Sequence, residues 1–177
     1  MGEARLIEPH VAYREAYMTF YRDWIASGES IVPWVVEKDP SDFEAYVAFL
    51  YSEDTEDKVT REGFVPHSTY WLVNEEDEIV GAVNFRHRLN RKLLESGGHI
   101  GYGIAPSHRR QGYARKQLAE ALKIAKAKGL DRVLLVCDAG NEASERTILG
   151  AGGRFESLFT MEDGETVKRF WIRLEEA

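Results

Sequence analysis

The chain is 177 residues long, with 23 Lys+Arg against 30 Asp+Glu, a formal net charge of −7 and 44% hydrophobic residues. That length suits one domain with a sizeable core, and the acidic balance excludes a general nucleic-acid binder, because such a surface repels a polyanion. A lone Cys137 excludes an internal disulfide or multi-cysteine metal site, and no secretory signal or membrane span of ~18 apolar residues is visible, so a cytoplasmic protein is expected.

From Val11 to about Ala26, Tyr13, Tyr17, Phe20 and Trp24 recur at helical spacing, and Gly28 ends the pattern. Pro33 and Pro40 punctuate the next stretch. "SDFEAYVAFLYSE" then predicts a helix capped by Ser41, with Glu44 three residues on. "STYWLV" and "EIVGAVNFRHR", split by the polar "NEEDE", predict a β-hairpin, and "HIGYGIA" a further strand. A helix follows from about Gly112 to Lys128, with Ala114, Leu118, Ala121, Leu122 and Ala125 on one face and Gly129 at its end. "RVLLVCD" is continuously apolar, as expected of a strand covered on both faces, so residues 98–138 read as a βαβ unit. A shorter helix in "NEASERTILGAGG" and a hairpin of "FESLFTM" and "TVKRFWIRL" close the chain. The expected fold class is α/β (α+β): a mixed, mostly antiparallel sheet with a central parallel βαβ unit flanked by helices.

The turn "SHRRQGYARK" holds Arg109, Arg110, Arg115 and Lys116, and no acidic residue occurs between Glu95 and Glu120. In the βαβ reading it joins a strand end to a helix start. Backbone N–H groups converge there and the helix dipole adds positive character. Gly112 lets a ligand approach without a Cβ in the way, Ala114 is also small, and the arginines supply charge-assisted donors. These features describe a phosphate or pyrophosphate site. The P-loop pattern G-x-x-x-x-G-K-[ST] is absent. A dinucleotide fingerprint fails because Pro106 stands at the third glycine of Gly101-x-Gly103.

Arg109-x-x-Gly112-x-Ala114 has the form [QR]-x-x-G-x-[GA], preceded by a strand ending "IAPSHR" and followed by an amphipathic helix, a buried strand ending at Asp138, and Asn141 opening another helix. In this setting the chain resembles the GNAT superfamily of N-acetyltransferases, from about Ser68 to Leu174, while the first 65 residues match only in being helical. The resemblance implies acetyl-CoA as the acyl donor, no metal, and an amine of a small molecule or peptide as acceptor. It also implies a single acyltransferase domain over 1–177, with 1–65 on the acceptor side and 68–174 holding the donor. A homodimer is compatible with it. The amides of Arg110, Gln111, Gly112, Tyr113 and Ala114, extending to Arg115, would cradle the CoA pyrophosphate, with the Arg109 and Arg110 side chains assisting. Backbone from Tyr102 through Ile104 to Ala105 would pair with the pantetheine arm, in a wedge the family opens by splaying this strand from the next. Asn141 would touch the cofactor or cap its helix, and Ser144 lies on the same turn.

The family's usual general acid, a tyrosine seven residues after that asparagine, is replaced by Ile148. Tyr102 and Ser144 are the nearby hydroxyls. The strand "GGHIGYGIA" carries no carboxylate, so His99 is the expected base there, or else it packs the strand. Glu62, Asp138 and Glu142 are more remote carboxylates. These departures keep open a non-catalytic CoA-binding sensor, or transfer of a longer acyl group. The remaining histidines show no metal-ligand spacing. "RHRLNRK" (86–92) is a second basic cluster, read as a contact to cofactor phosphates, to an acidic substrate, or as an exposed loop. Tyr17, Trp24, Trp34, Phe43 and Tyr46 are candidate acceptor-pocket aromatics or core.

Overall fold

A computed structural model describes residues 3–174; the expected domain limits at 1 and 177 lie outside the described residues. A short strand, β1 (Arg5–Ile7), precedes helices α1 (Arg14–Ser27) and α2 (Phe43–Leu50). Then come β2 (His67–Val73), β3 (Ile79–Arg86), β4 (Ile100–Ile104), α3 (Tyr113–Ala127), β5 (Arg132–Asp138), α4 (Glu142–Gly150), β6 (Arg154–Thr160) and β7 (Thr166–Arg173). The predicted helices and strands are all present. Two details differ. β1 was hidden because three residues carry too little periodicity to read; it pairs antiparallel with β2, Leu6 opposite Leu72. The cap of α2 is Asp42, whose carboxylate accepts the Ala45 N–H at 3.2 Å, while Ser41 is itself held by Asp39.

The strands form two antiparallel sheets, ordered β1-β2-β3-β4 and β5-β7-β6. The expected βαβ connection is there, but no ladder joins β4 to β5 among the described residues. They meet at one point, where the His99 N–H donates to the Leu134 carbonyl at 2.8 Å. Beyond it they part, and the gap is the wedge that the fold presents to a ligand.

Two cores hold the halves together. Leu118, Ala121 and Ala125 of α3 pack with Val83, Phe85, Val133, Leu135, Ile148 and Phe170. On the opposite face of the first sheet, α1 and α2 bring Tyr17, Phe20, Trp24, Phe43 and Tyr46 against Trp71. Burying rings of this size contributes roughly 2–3 kcal/mol each. The Tyr17 and Tyr46 hydroxyls meet at 2.6 Å, and Tyr46 also donates to the Val35 carbonyl. Four of the five candidate acceptor-pocket aromatics are therefore core, and only Trp34 is half-buried.

Candidate active site

After β4 the chain makes a single helical turn, Pro106–His108, and then the basic loop. Arg110 has φ +63° and Gly112 φ +84°, both left-handed. Arginine rarely adopts that conformation, and backbone strain of this kind gathers at ligand sites. The result is a concave run of amides leading into α3, a nest of the sort that holds anions. The first of the α3 amides to be paired is Lys116, to the Gly112 carbonyl at 3.2 Å. Tyr113, Ala114 and Arg115 precede it and have no acceptor within the helix. Gly112 caps α3 with no side chain of its own in the way.

This loop borders a cleft of about 780 Å³. Its walls are the end of β4 (Tyr102, Gly103, Ile104), the loop from Arg109 to Arg115 without Gln111, and the first turns of α4 with Asn141 and Ser144. Trp24, Glu29 and Val32 close it from the α1 side. The amide cradle, the strand edge left free by the splay and a cleft of this size fit an elongated pyrophosphate-containing molecule such as acetyl-CoA.

Most expected cofactor residues are thus brought together, with three adjustments. Gln111 is exposed and does not line the cleft. Ala105 is buried and its N–H is already committed to the Val80 carbonyl at 2.8 Å, so the free strand edge ends at Ile104. The Arg109 side chain turns away from the loop's amides. Its Nη1 bonds both Glu29 oxygens at 2.8 and 3.0 Å, and its guanidinium lies 5.3 Å from the Trp24 ring centre. Both partners are nearly half exposed, so this pair contributes at most about 1 kcal/mol. It does hold the 28–32 segment across the cleft, where the Val32 carbonyl would lie 2.5 Å from any Cβ placed on Gly103. Glu29 and Val32 gave no local signal in the sequence, because their role comes from a contact with residues far along the chain.

Asn141 is observed as a helix cap, its Oδ1 accepting the Ser144 N–H at 3.1 Å, and it also lines the cleft. Tyr102 points into the wedge with its hydroxyl 3.4 Å from Ser144 Oγ, and burial raises its pKa. Ile148 is fully buried core. His99 sits at the closed end of the wedge, away from the cleft lining. Its Nδ1 accepts the Leu134 N–H at 2.9 Å, and burial with the charges of Arg86 and Arg132 brings its pKa down to about 4. The imidazole thus completes a two-bond clasp with the His99 N–H. Glu62, Asp138 and Glu142 are exposed and outside the cleft. Buried Cys137 has a raised pKa, as packing implies. No group of three or more His, Cys, Asp or Glu side chains is placed to hold a metal among the described residues, and no helix there is long and apolar enough to cross a membrane.

Known proteins resemble this chain in sequence and in fold. YoaA of Bacillus subtilis (strain 168), described as an uncharacterized N-acetyltransferase, is 33% identical over 91 residues; the match spans half of this chain and half of YoaA. Among solved structures, the microcin C7 self-immunity acetyltransferase MccE in complex with acetyl-CoA and AMP superposes with TM-score 0.69 at 17% identity, over 97% of this chain and 92% of that one. A dodecameric spermidine N-acetyltransferase from Vibrio cholerae gives 0.62 at 17%, over 97% and 93%. YncA of Salmonella typhimurium with its cofactor acetyl-CoA gives 0.63 at 14%, over 98% and 95%. At such identities the structures speak for the fold. The model of the acetyltransferase (GNAT) family matches residues 32–150, a span that runs from the α1–α2 connection through the splayed strands, the amide loop and α4, and this chain belongs to that family.

Proposed function

We propose that the protein transfers an acetyl group from acetyl-CoA to a primary amine of a small molecule or peptide, by direct attack of the amine on the thioester. The observation that carries this reading is the run of unpaired amides around left-handed Arg110 and Gly112, at the mouth of the wedge between β4 and β5. Acetyl-CoA, as cosubstrate, supplies the activated acyl group. The amides of 110–115 and the α3 dipole hold its pyrophosphate. The free edge of β4 from Tyr102 to Ile104 aligns the pantetheine, and Asn141 keeps its amide nitrogen available to the same arm. Residues 68–174 hold the donor and 1–65 shape the acceptor side of one unit. A single buried cysteine, with no second one to bridge to, suits a cytoplasmic location.

The proton inventory follows from the environments. Tyr102, kept protonated by burial, replaces the acid missing at Ile148 and gives its proton to the departing sulfur, with Ser144 behind it. His99 has its Nδ1 engaged and little basicity, so it positions β4 against β5 and takes no proton. The amine's proton leaves to water, which reprotonates Tyr102. Transfer of a longer acyl group would use the same contacts, and a panel of acyl-CoAs separates the two.

The second reading, a CoA-binding sensor without catalysis, is favoured by Ile148 and by the engaged His99. Calorimetric binding of acetyl-CoA combined with thiol release across a broad amine panel decides between them. Binding with steady thiol release is expected. Binding without release supports the sensor, and no binding at millimolar acetyl-CoA overturns both.

A further inference from the structure

Outside the cleft, buried polar side chains collect at the other end of the first sheet. His67 of β2 is register partner to Arg86 of β3, Thr69 to Asn84, and Asn84 to Gly101 of β4, so all five share one face. Asn84 is fully buried and organises the group. Its Oδ1 accepts from Trp34 Nε1 at 3.1 Å and from Arg86 Nε at 2.9 Å, and its Nδ2 lies 3.0 Å from His67 Nδ1. The other His67 nitrogen reaches Glu53, whose carboxylate is paired with Arg61 and held down to about 2, first by that pairing.

The charges on this face do not balance. Glu53 is answered by Arg61. Arg86 has only neutral partners, Asn84 and the carbonyls of Gly97 and Gly98 at 3.2 and 3.4 Å, with no carboxylate in ion-pair range among the described residues. Its burial alone brings the guanidinium pKa down to about 10. A cation withdrawn from water without an anion is costly, and this chain, at net charge −7, has carboxylates to spare. Arg86 Nη2 makes none of these bonds. It lies 3.1 Å from where a Cβ on Gly101 would stand, over the β4 backbone one residue before Tyr102. Arg86, Gly101 and Trp34 are all half-buried, so the guanidinium is not sealed off from the surface.

We propose that Arg86 is the docking cation for an anionic group of the acceptor, which makes the acceptor an amine that also carries a carboxylate, phosphonate or similar oxyanion. The inference deepens the acetyltransferase reading and rests on it for the word acceptor. An oxyanion seated on Nη2 supplies the missing charge through the arginine's planar donors. It also leaves the amine of the same molecule over the β4 backbone at Gly101, next to Tyr102. A polyamine would bring more positive charge to a face that already has an excess.

The test has two arms, so that its failure and the failure of the transferase reading separate. In the first, the CoA-saturated protein is titrated calorimetrically with sulfate, which cannot compete for the filled pyrophosphate loop. Saturable binding is expected, weakened at least about tenfold in Arg86→Gln, roughly 1.4 kcal/mol, and largely kept in Arg86→Lys. The lysine variant guards against a fold lost with the Gly97 and Gly98 contacts, and circular dichroism checks both. In the second arm, thiol release is compared for matched amines with and without a carboxylate, such as lysine against cadaverine. The carboxylated member should have the higher kcat/KM, and Arg86→Gln should erase that preference through KM. Sulfate binding that is absent or unchanged in Arg86→Gln, or a preference for the member without the carboxylate, overturns the proposal. Arg86-dependent sulfate binding without thiol release from any amine keeps the anion site and removes the transferase reading.

Discussion

The two ends of β4, with His99 just before it and the basic loop just beyond it, are chemically opposite. At its start the chain is clasped: the His99 N–H and Nδ1 bond Leu134, and the His99 carbonyl accepts from the Arg86 N–H at 2.7 Å. At its end no strand pairs with the outer edge, only Arg109 Nε reaches the Ile104 carbonyl at 3.4 Å, and the amides from Arg110 to Arg115 have no backbone partner. Paired groups hold a shape, and unpaired ones in a fixed frame bind whatever completes them. The wedge needs both, because the open end can present its donors only if the closed end keeps the sheets in register.

The sharpest way to break this contrast is at the open end. Tyr102→Phe removes the proposed proton donor and should lower kcat roughly 100-fold while leaving acetyl-CoA affinity nearly unchanged. An undiminished kcat would return the proton to solvent and make Tyr102 packing. Gly112→Val places a branched side chain at φ +84° and disturbs the cradle. Calorimetry should show acetyl-CoA binding about 10- to 100-fold weaker, a larger loss than for removing any one arginine charge. Normal affinity in that variant would mean that the loop does not hold the pyrophosphate.

The closed end gives effects on stability first. His99→Phe leaves the buried Leu134 N–H without an acceptor, at a cost of about 1–3 kcal/mol, and should also weaken acetyl-CoA binding several-fold. His99→Asn, which can offer a side-chain oxygen, should recover part of both. If only the melting temperature moves, the clasp supports the fold without shaping the wedge. The pH dependence has a definite sign. With a folded pKa of about 4 against roughly 6.5 unfolded, the unfolded chain binds this proton first. His99 therefore contributes stability above pH 6.5 that is lost as pH falls towards 4. Wild type should show that slope in urea titrations, and His99→Asn should show a shallower one, since buried His67 and half-buried His87, also shifted down, remain.

The smallest predicted effect lies beneath the strands. Gln117 of α3 is fully buried, and neither end of its amide has a partner among the described residues. Gln117→Leu keeps the volume and removes that deficit, so it should raise stability by about 1 kcal/mol, some 2–4 °C in melting temperature. Lower stability would show that the amide is satisfied by water or by the cosubstrate.

The sequence was most readable where a pattern is local. The helix over 113–127, the apolar strand 132–138 and the terminal hairpin follow from periodicity and turn residues within short windows. The binding loop is legible for the same reason: its glycine, its arginines and the strand and helix around it are contiguous. His99 and Arg86 were visible only as residue types. A histidine on a strand before an acyl-transfer signature suggests a base, yet its ring is spent on a backbone amide 35 residues away. "RHRLNRK" suggests a basic loop, solvated or in contact with cofactor phosphates or an acidic substrate, yet its first arginine is drawn down onto Asn84.

By itself, the sequence determined every element longer than β1, their order, the basic glycine loop and the family, since each is written in residues that are neighbours along the chain. Only the tertiary structure decided what those residues do for one another. Arg109 was expected at a phosphate and meets Glu29, 80 positions earlier, and Trp34 reaches Asn84 across 50. Such pairings depend on how sheets and helices pack, and packing is settled by the whole core at once. Whether a charge ends up paired, buried or free is decided at that level, and the chemistry of the site depends on it.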